Sequence, residues 1–387
     1  MKTKTGEIMI DKFIDEMMDI NDLPGLVLGY CIDGGSGYKQ HVAARGFLDV
    51  SLKGSENEMR LKPDNVFHCA SVSKVITATC IMKLVEEGRL NVYDRLSDVL
   101  PSFHMSDERW GEIRLWNMLT HTSGMGDVDD YHWDRPETGD DALRRYVYES
   151  PEVKDTPMLW DPQTAPGFYG GDENLFRYSN IAYEILGEVV EECSGMSFED
   201  FAEEKVFRPA GMECTTMKTF ERKEWADRTE NMKHGDMAFP HEKKENRDIC
   251  PAEYYPYTRS HAPSSTLTST VGDLLKLGRA FLDSASGRDE RILHRETFDT
   301  VWRDYATVPN NGEKMGLGWF MRKQKGYTLM GHEGTDDGFR ASFWICPELQ
   351  AVTVVLSNLS GAPVKKINRK LFDRITDTSS QGGGEDR

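Results

Sequence analysis

Apolar residues recur three and four positions apart from Ile10 to Ile20, the period of an amphipathic helix. The pattern then changes. Gly25-Leu-Val-Leu-Gly-Tyr-Cys-Ile32 and His41 to Val50 read as two strands flanking a Gly-rich turn. Helical signals dominate the middle of the chain. Val75 to Gly88 carries Ile76, Ile81, Leu84 and Val85 on a helical repeat, with Gly88 as a stop signal, and a second amphipathic run extends from Tyr178 to about Glu192. Strand signals return only near the other end, at Gly316 to Met321, Tyr327 to Met330, Phe339 to Ile345 and Ala351 to Leu356. Pro363 to Ile375 reads as a closing helix. The pattern predicts an α/β (α+β) fold, with an antiparallel sheet built from both chain termini, flanked by helices, and a mostly helical section inserted. Residues 1–376 form one unit, with a sheet part of about 1–65 plus 266–376 and a helical part of about 66–265. The polar, Gly-rich 377–387 reads as a disordered tail.

Composition narrows the options. A chain of 387 residues, 38% of them hydrophobic, can bury a substantial core. Its 47 basic and 65 acidic residues leave a net charge of −18, which disfavours nucleic acid and anionic membranes as partners. No apolar run approaches the roughly 18–20 residues of a membrane span. The start, Met1-Lys-Thr-Lys-Thr-Gly-Glu-Ile8, lacks the apolar stretch of a secretory signal, so a cytoplasmic location is expected. Seven cysteines with no C-x-x-C fit free thiols in a reducing compartment. None of the 10 histidines has metal-ligand spacing, so neither a metal nor a cofactor is expected.

The chemistry begins at Ser71-Val-Ser-Lys74, at the start of the second helix. Residues three apart share a helix face, so the Lys74 amine can lean over the Ser71 oxygen. A serine needs a base to become a nucleophile, and lysine serves only when neutral, which burial and a helix N-terminus both favour. Ser36-Gly-Tyr-Lys39 has the same spacing but sits in the Gly-rich turn, where no such geometry is fixed. Tyr178-Ser-Asn180 lies where a polar loop meets a helix. Its phenol could relay a proton and its amide could hold a carbonyl, or the segment could simply cap the helix. Gly331-His-Glu-Gly-Thr335 precedes a strand-like run. Gly334 would let a substrate approach an edge strand and Thr335 could offer an N–H to an oxyanion, though a plain hairpin fits as well.

In this order, the three elements resemble the β-lactamase and penicillin-binding-protein family of serine hydrolases, with its Ser-x-x-Lys, Tyr-x-Asn and Lys-Thr-Gly motifs. The closest likeness is to the class C β-lactamase-related branch, which also holds esterases, D-amino-acid peptidases and acyltransferases. Leu84 to Asp94, Leu119-Thr-His-Thr-Ser-Gly124, Ser194 to Phe198, Val206 to Met212 and Ser269 to Leu274 resemble further family segments, so the likeness spans roughly residues 10 to 375. It implies that Ser71 is acylated, Lys74 and Tyr178 act as a coupled acid–base pair, and Asn180 holds the substrate carbonyl. It also implies an oxyanion hole from the N–H groups of Ser71 and Thr335. His332 stands where the family has lysine, Glu333 where it has a small hydroxyl residue, and Gly170-Gly-Asp-Glu-Asn174 where many relatives have Pro-Gly. All three departures argue against a dedicated β-lactamase.

The charged stretch Phe220 to Ser265 ends in Tyr254, Tyr255 and Tyr257. It reads as an exposed excursion or as a lid whose tyrosines line the pocket. The expectation is a serine hydrolase acting through an acyl-enzyme on a small ester or amide. The alternatives are an acyltransferase with the same triad, a β-lactamase or D-Ala-D-Ala carboxypeptidase, and a non-catalytic scaffold. Sequence leaves the acyl group, leaving group and oligomeric state open.

Overall fold

The computed structural model describes residues 3–33, 35, 37–164, 175–221 and 237–381. Helix α1 (Thr3–Asn21) leads into β1 (Gly25–Asp33) and β2 (Tyr38–Gly46), and β2 ends where Gly46 turns to φ +93°. After α2 (Ser73–Glu86), the long α3 (Asn180–Ser194) and α4 (Val271–Ala285) come six more strands. These are β3 (Ala306–Thr307), β4 (Lys314–Met315), β5 (Phe320–Gln324), β6 (Tyr327–Asp336), β7 (Phe339–Cys346) and β8 (Ala351–Ser357). Helix α5 (Val364–Gln381) closes the chain. The strands form one sheet of eight in the order β2-β1-β8-β7-β6-β5-β4-β3. Every neighbouring pair is antiparallel, with Leu28 opposite Val355 where the two chain ends meet.

Alternation along β1 explains the layers. Leu26, Leu28 and Tyr30 pack on one face with Ile10, Phe13 and Ile14 of α1 and Ile367 and Leu371 of α5. Val27 and Cys31 point to the other face, into a core with Leu274 and Leu277 of α4, Ile76 and Ile81 of α2 and Ile185 of α3. Burial of such a side chain contributes about 1.5–3 kcal/mol, so a one-residue slip of β1, which exchanges the faces, is heavily penalised.

Four sequence expectations need correction. His41 to Val50 is a strand only as far as Gly46, and Val50 opens a 3-10 turn. Gly316 to Met321 is a strand only from Phe320, because Gly318 adopts φ +81° and its N–H donates to Leu119 O at 3.0 Å. Tyr327 to Met330 is only the first part of β6, which runs on through His332, Glu333, Gly334 and Thr335 to Asp336. The tail begins later than expected: α5 continues from Ile375 to Gln381, with the Asp377 carboxylate paired to Lys325. Residues 382–387, Ser36 of the second Ser-x-x-Lys match, the 170–174 loop and 222–236 of the charged stretch lie outside the described residues. No helix among the described residues is long and apolar enough to cross a membrane.

Candidate active site

The segment ahead of α2 is held by backbone contacts that fix the Ser71 side chain. Phe67–His68 pairs with Thr268–Ser269, and Cys69 N–H donates to Leu267 O at 2.7 Å. Ala70 then takes φ +46°, a conformation unfavourable for a side-chain-bearing residue, and Ser71 follows in a 3-10 turn. The Ser73 hydroxyl ties the turn down, donating to Ala70 O at 2.7 Å and accepting from Leu267 N at 2.9 Å. On the other side, β6 presses close. A Cβ on Gly334 would lie 2.2 Å from Cys69 O, so only glycine permits this approach.

Lys74 is completely buried on the first turn of α2. Its Nζ donates to Asn180 Oδ1 at 2.6 Å and to Ser264 O at 3.0 Å, and lies 3.2 Å from Ser71 Oγ. The geometry assigns the protons. Two acceptors hold two hydrogens, so on losing its third proton the amine turns a lone pair toward the serine hydroxyl. Burial pulls Lys74 down to about 8, against the opposing pull of Glu184, Asp127 and Asp336. About one Lys74 in ten is then neutral at pH 7, against about one in three thousand for an ordinary lysine.

The Tyr178 motif is clamped at the N-terminus of α3. Ser179 caps the helix, accepting from Ala182 N at 3.2 Å, while its hydroxyl donates to Gly126 O at 2.6 Å. Its N–H donates to His121 Nδ1 at 3.2 Å, which leaves His121 neutral with the proton on Nε2. Burial pushes His121 well below the usual histidine range, with the Lys74 charge acting the same way. The His121 ring packs 4.2 Å from that of Tyr178 and so helps to orient the phenol. Asn180 is fixed by Asp127, whose Oδ1 accepts from Asn180 N at 2.6 Å and Nδ2 at 3.0 Å. Tyr178 is raised well above an ordinary phenol by burial, partly offset by its hydrogen bond to Ser71. The Lys74 ammonium lies 4.8 Å from the centre of its ring.

These groups open on a cleft of about 480 Å³ lined by Ser71, Tyr178, Asn180, His332 and Thr335, among others. His332 Nδ1–H donates to Glu333 O at 2.6 Å, so Nε2 is a bare acceptor; it has no partner among the described residues. Burial lowers His332 to about 3, and the nearby Lys74 charge adds to the effect. The cleft also holds Asp127 and Asp336, the latter accepting from His68 Nε2 at 2.7 Å.

Glu333 lines the cleft but is not a free carboxylate. It accepts from Trp344 Nε1 at 2.7 Å and lies 3.7 Å from the buried Arg322 guanidinium, itself stacked on Trp344. The expected pocket tyrosines are elsewhere. Tyr254 is exposed and bonded to Glu253, Tyr255 packs on His68 and Phe339, and Tyr257 is buried beside Phe220. Within the charged stretch Glu242 to Asp248 is exposed, as an excursion would be, whereas the end of the stretch turns inward. Arg259 is buried on Glu199 at 2.8 Å, and Pro263 to Ser265 pack wholly inside. The aromatic walls come instead from Tyr131, Phe176 and Phe320. Neither these nor Asp127 and Asp336 were found by sequence reasoning. Asp127 lies in an acidic run, Asp127, Asp129 and Asp130, which by itself reads as solvated surface.

Comparison with known proteins adds the family. Penicillin-binding protein 4 of Amycolatopsis lactamdurans is 27% identical over 351 residues, covering 89% of this chain and 83% of that protein. An octameric penicillin-binding protein homologue from Pyrococcus abyssi superposes with a TM-score of 0.73 at 24% identity, covering 95% of this chain and 77% of that one. D-amino acid amidase from Ochrobactrum anthropi SV3 superposes with a TM-score of 0.71 at 20% identity, covering 96% and 98%. The beta-lactamase family model matches residues 10–376, and with Ser71, Lys74 and Tyr178 gathered at one cleft the chain belongs to the beta-lactamase family of serine hydrolases.

Proposed function

We propose that this protein hydrolyses a small amide or ester through an acyl-enzyme on Ser71, and that its substrate is uncharged or carries an amine. The observation that carries this reading is the placement of Lys74, whose third N–H position faces Ser71 Oγ at 3.2 Å. The Ser71 proton passes to Nζ as Oγ attacks the substrate carbonyl carbon. The N–H groups of Ser71 and Thr335 receive the oxyanion, and Asn180 Nδ2, with one N–H held by Asp127, has its second N–H for the acyl-side carbonyl. Tyr178 gives its proton to the departing amine or alcohol, and Lys74 returns one to the phenol oxygen. Water, deprotonated by the same pair, attacks the acyl carbon; the Ser71–acyl bond then breaks to release the acid as the pair returns that proton to Ser71 Oγ.

Substrate charge is read from the acceptors. Asp127 and Asp336 bring carboxylates to the cleft, while its Lys365 is already engaged by Glu313 at 2.9 Å. A carboxylate-bearing substrate would face like charges there, and a donor-rich one would be held. An amide beside an amine, the group for which a D-amino acid amidase is named, has that donor set. The test is labelling by a fluorophosphonate probe alongside turnover of aminoacyl anilides, p-nitrophenyl esters and nitrocefin. Wild type should be labelled and should favour the first two substrate classes, and Ser71→Ala should lose label and turnover with its Tm nearly unchanged. Near-wild-type activity in Ser71→Ala would end the assignment.

A further inference from the structure

Behind Lys74 lies a buried carboxylate that the reaction scheme does not use. Glu184 stands one turn after Asn180 on α3 and is 0% exposed. Its Oε1 accepts from the Ser264 hydroxyl at 2.5 Å and from His261 Nδ1 at 2.9 Å, whereas Oε2 has no partner among the described residues. Ser264 therefore faces two ways, giving its hydroxyl to Glu184 and its carbonyl to Lys74 Nζ at 3.0 Å. The segment is clamped on both flanks. Thr77 of α2 donates to Pro263 O at 2.5 Å, and a Cβ on Gly187 of α3 would lie 2.1 Å from Pro263 Cγ. Around His261 close the rings of Tyr131, Trp133 and Tyr146.

A carboxylate buried with one oxygen unpaired is strongly disfavoured unless it answers a charge. We infer that Glu184 is a positioning residue for acylation: bridged by Ser264, it fixes the carbonyl that holds one Lys74 N–H and supplies the counter-charge of the ammonium formed when Ser71 gives up its proton. The inference rests on the reading of Lys74 as the base. Lys74 is also faced by Asp127 and Asp336, by the phenols of Tyr178 and Tyr183, and by His121 and His332. Among the carboxylates Glu184 acts on it most strongly. Glu184 is faced in turn by His261, Tyr131 and Tyr146.

Glu184→Gln keeps an acceptor oxygen for Ser264 and His261 and removes the charge. Lys74 then loses its proton more readily and becomes a weaker base. The acid limb of kcat/KM should move down by about one pH unit, and the plateau kcat should fall about tenfold with KM within about twofold. Ser264→Ala keeps the charge and the carbonyl but cuts the bridge, so kcat should fall about fivefold with the acid limb in place. A purely structural Glu184 would alter Tm and leave the pH profile where it was. A folded Glu184→Gln enzyme with the wild-type limb and kcat overturns the inference. If that variant fails to fold, wild-type kcat in Ser264→Ala overturns it instead. Absence of fluorophosphonate labelling in the wild type would refute the serine-hydrolase reading itself, which separates the two failures.

Discussion

A lysine can serve as base here because it is costly to keep charged where it sits. Burial lowers Lys74 to about 8, so activity requiring the neutral amine should rise with pH and level off above that value. Lys74→Arg cannot supply a neutral amine, and it should lose at least about 100-fold in kcat/KM together with the acid limb. A pH titration of both proteins on one neutral ester checks this. Glu333 calls for a different expectation than its sequence position suggests. Because it faces Arg322 at 3.7 Å, Glu333→Thr removes the partner of a buried guanidinium as well as a carboxylate in the cleft. The variant should lose about 2–4 kcal/mol in denaturant unfolding, and the Arg322 charge left unpaired behind the cleft should improve turnover of anionic esters. Ser71 and Lys74 were legible because i,i+3 spacing on a helix is itself geometry. Ser264 was not, since it contributes a backbone carbonyl and any residue type carries one.

At the level of elements, the site depends on how closely β6 approaches the turn before α2. Pairing with β5 stops at Gly331 opposite Phe320, so residues 332 to 336 keep one edge open toward Ser71. Gly334→Ala would put a methyl 2.2 Å from Cys69 O, and backbone rather than a flexible side chain must yield. The expected result is a loss of about 1–3 kcal/mol and a disproportionate fall in kcat, since a shift of about 1 Å misplaces the Thr335 N–H proposed to receive the oxyanion. Thermal melts and steady-state kinetics on the variant test both parts. Helix α3 carries a separate signature. Burial raises Glu188 to about 7 despite Arg144 at 2.7 Å, so the folded protein binds a proton there that the unfolded chain releases near pH 4. Stability from this group is present below about pH 4 and lost as pH rises to about 7, so Glu188→Gln should be the more stable form at pH 8, by about 1–3 kcal/mol in urea melts. The glycine in β6 could be read from sequence. The full length of β6 could not, because Gly331 and Gly334 weaken a strand pattern locally and only cross-strand pairing with β7 restores it.

The sheet joining both chain ends was legible at the scale of the whole molecule because 25–32 and 351–356 are short, near-continuous apolar runs, the pattern of strands buried on both faces, and they pair with each other. The fate of Tyr254, Tyr255 and Tyr257 was not, since an aromatic cluster in a charged stretch looks the same whether it lines a cleft or packs inward on Phe339 and Phe220. Charge is where the molecule and its site act together. The chain carries −18, and two of the carboxylates in that total, Asp127 and Asp336, line the cleft beside Ser71. Both should favour cations, but they respond differently to salt: the diffuse surface field is screened beyond about 10 Å at 0.1 M, and contacts inside a partly desolvated cleft are screened much less. For three p-nitrophenyl esters matched in size, kcat/KM should fall in the order amine-bearing, neutral, carboxylate-bearing. Raising salt from about 0.02 to 0.5 M should shrink the spread without abolishing it, because the residual preference belongs to the contacts in the cleft. Asp127→Asn should take away most of that residual preference, lowering kcat/KM for the amine-bearing ester more than for the neutral one. A spread that collapses fully in salt would place the selectivity on the surface field alone, and a carboxylate-bearing ester turned over as fast as the neutral one at low salt would rule out the acidic cleft as a specificity device.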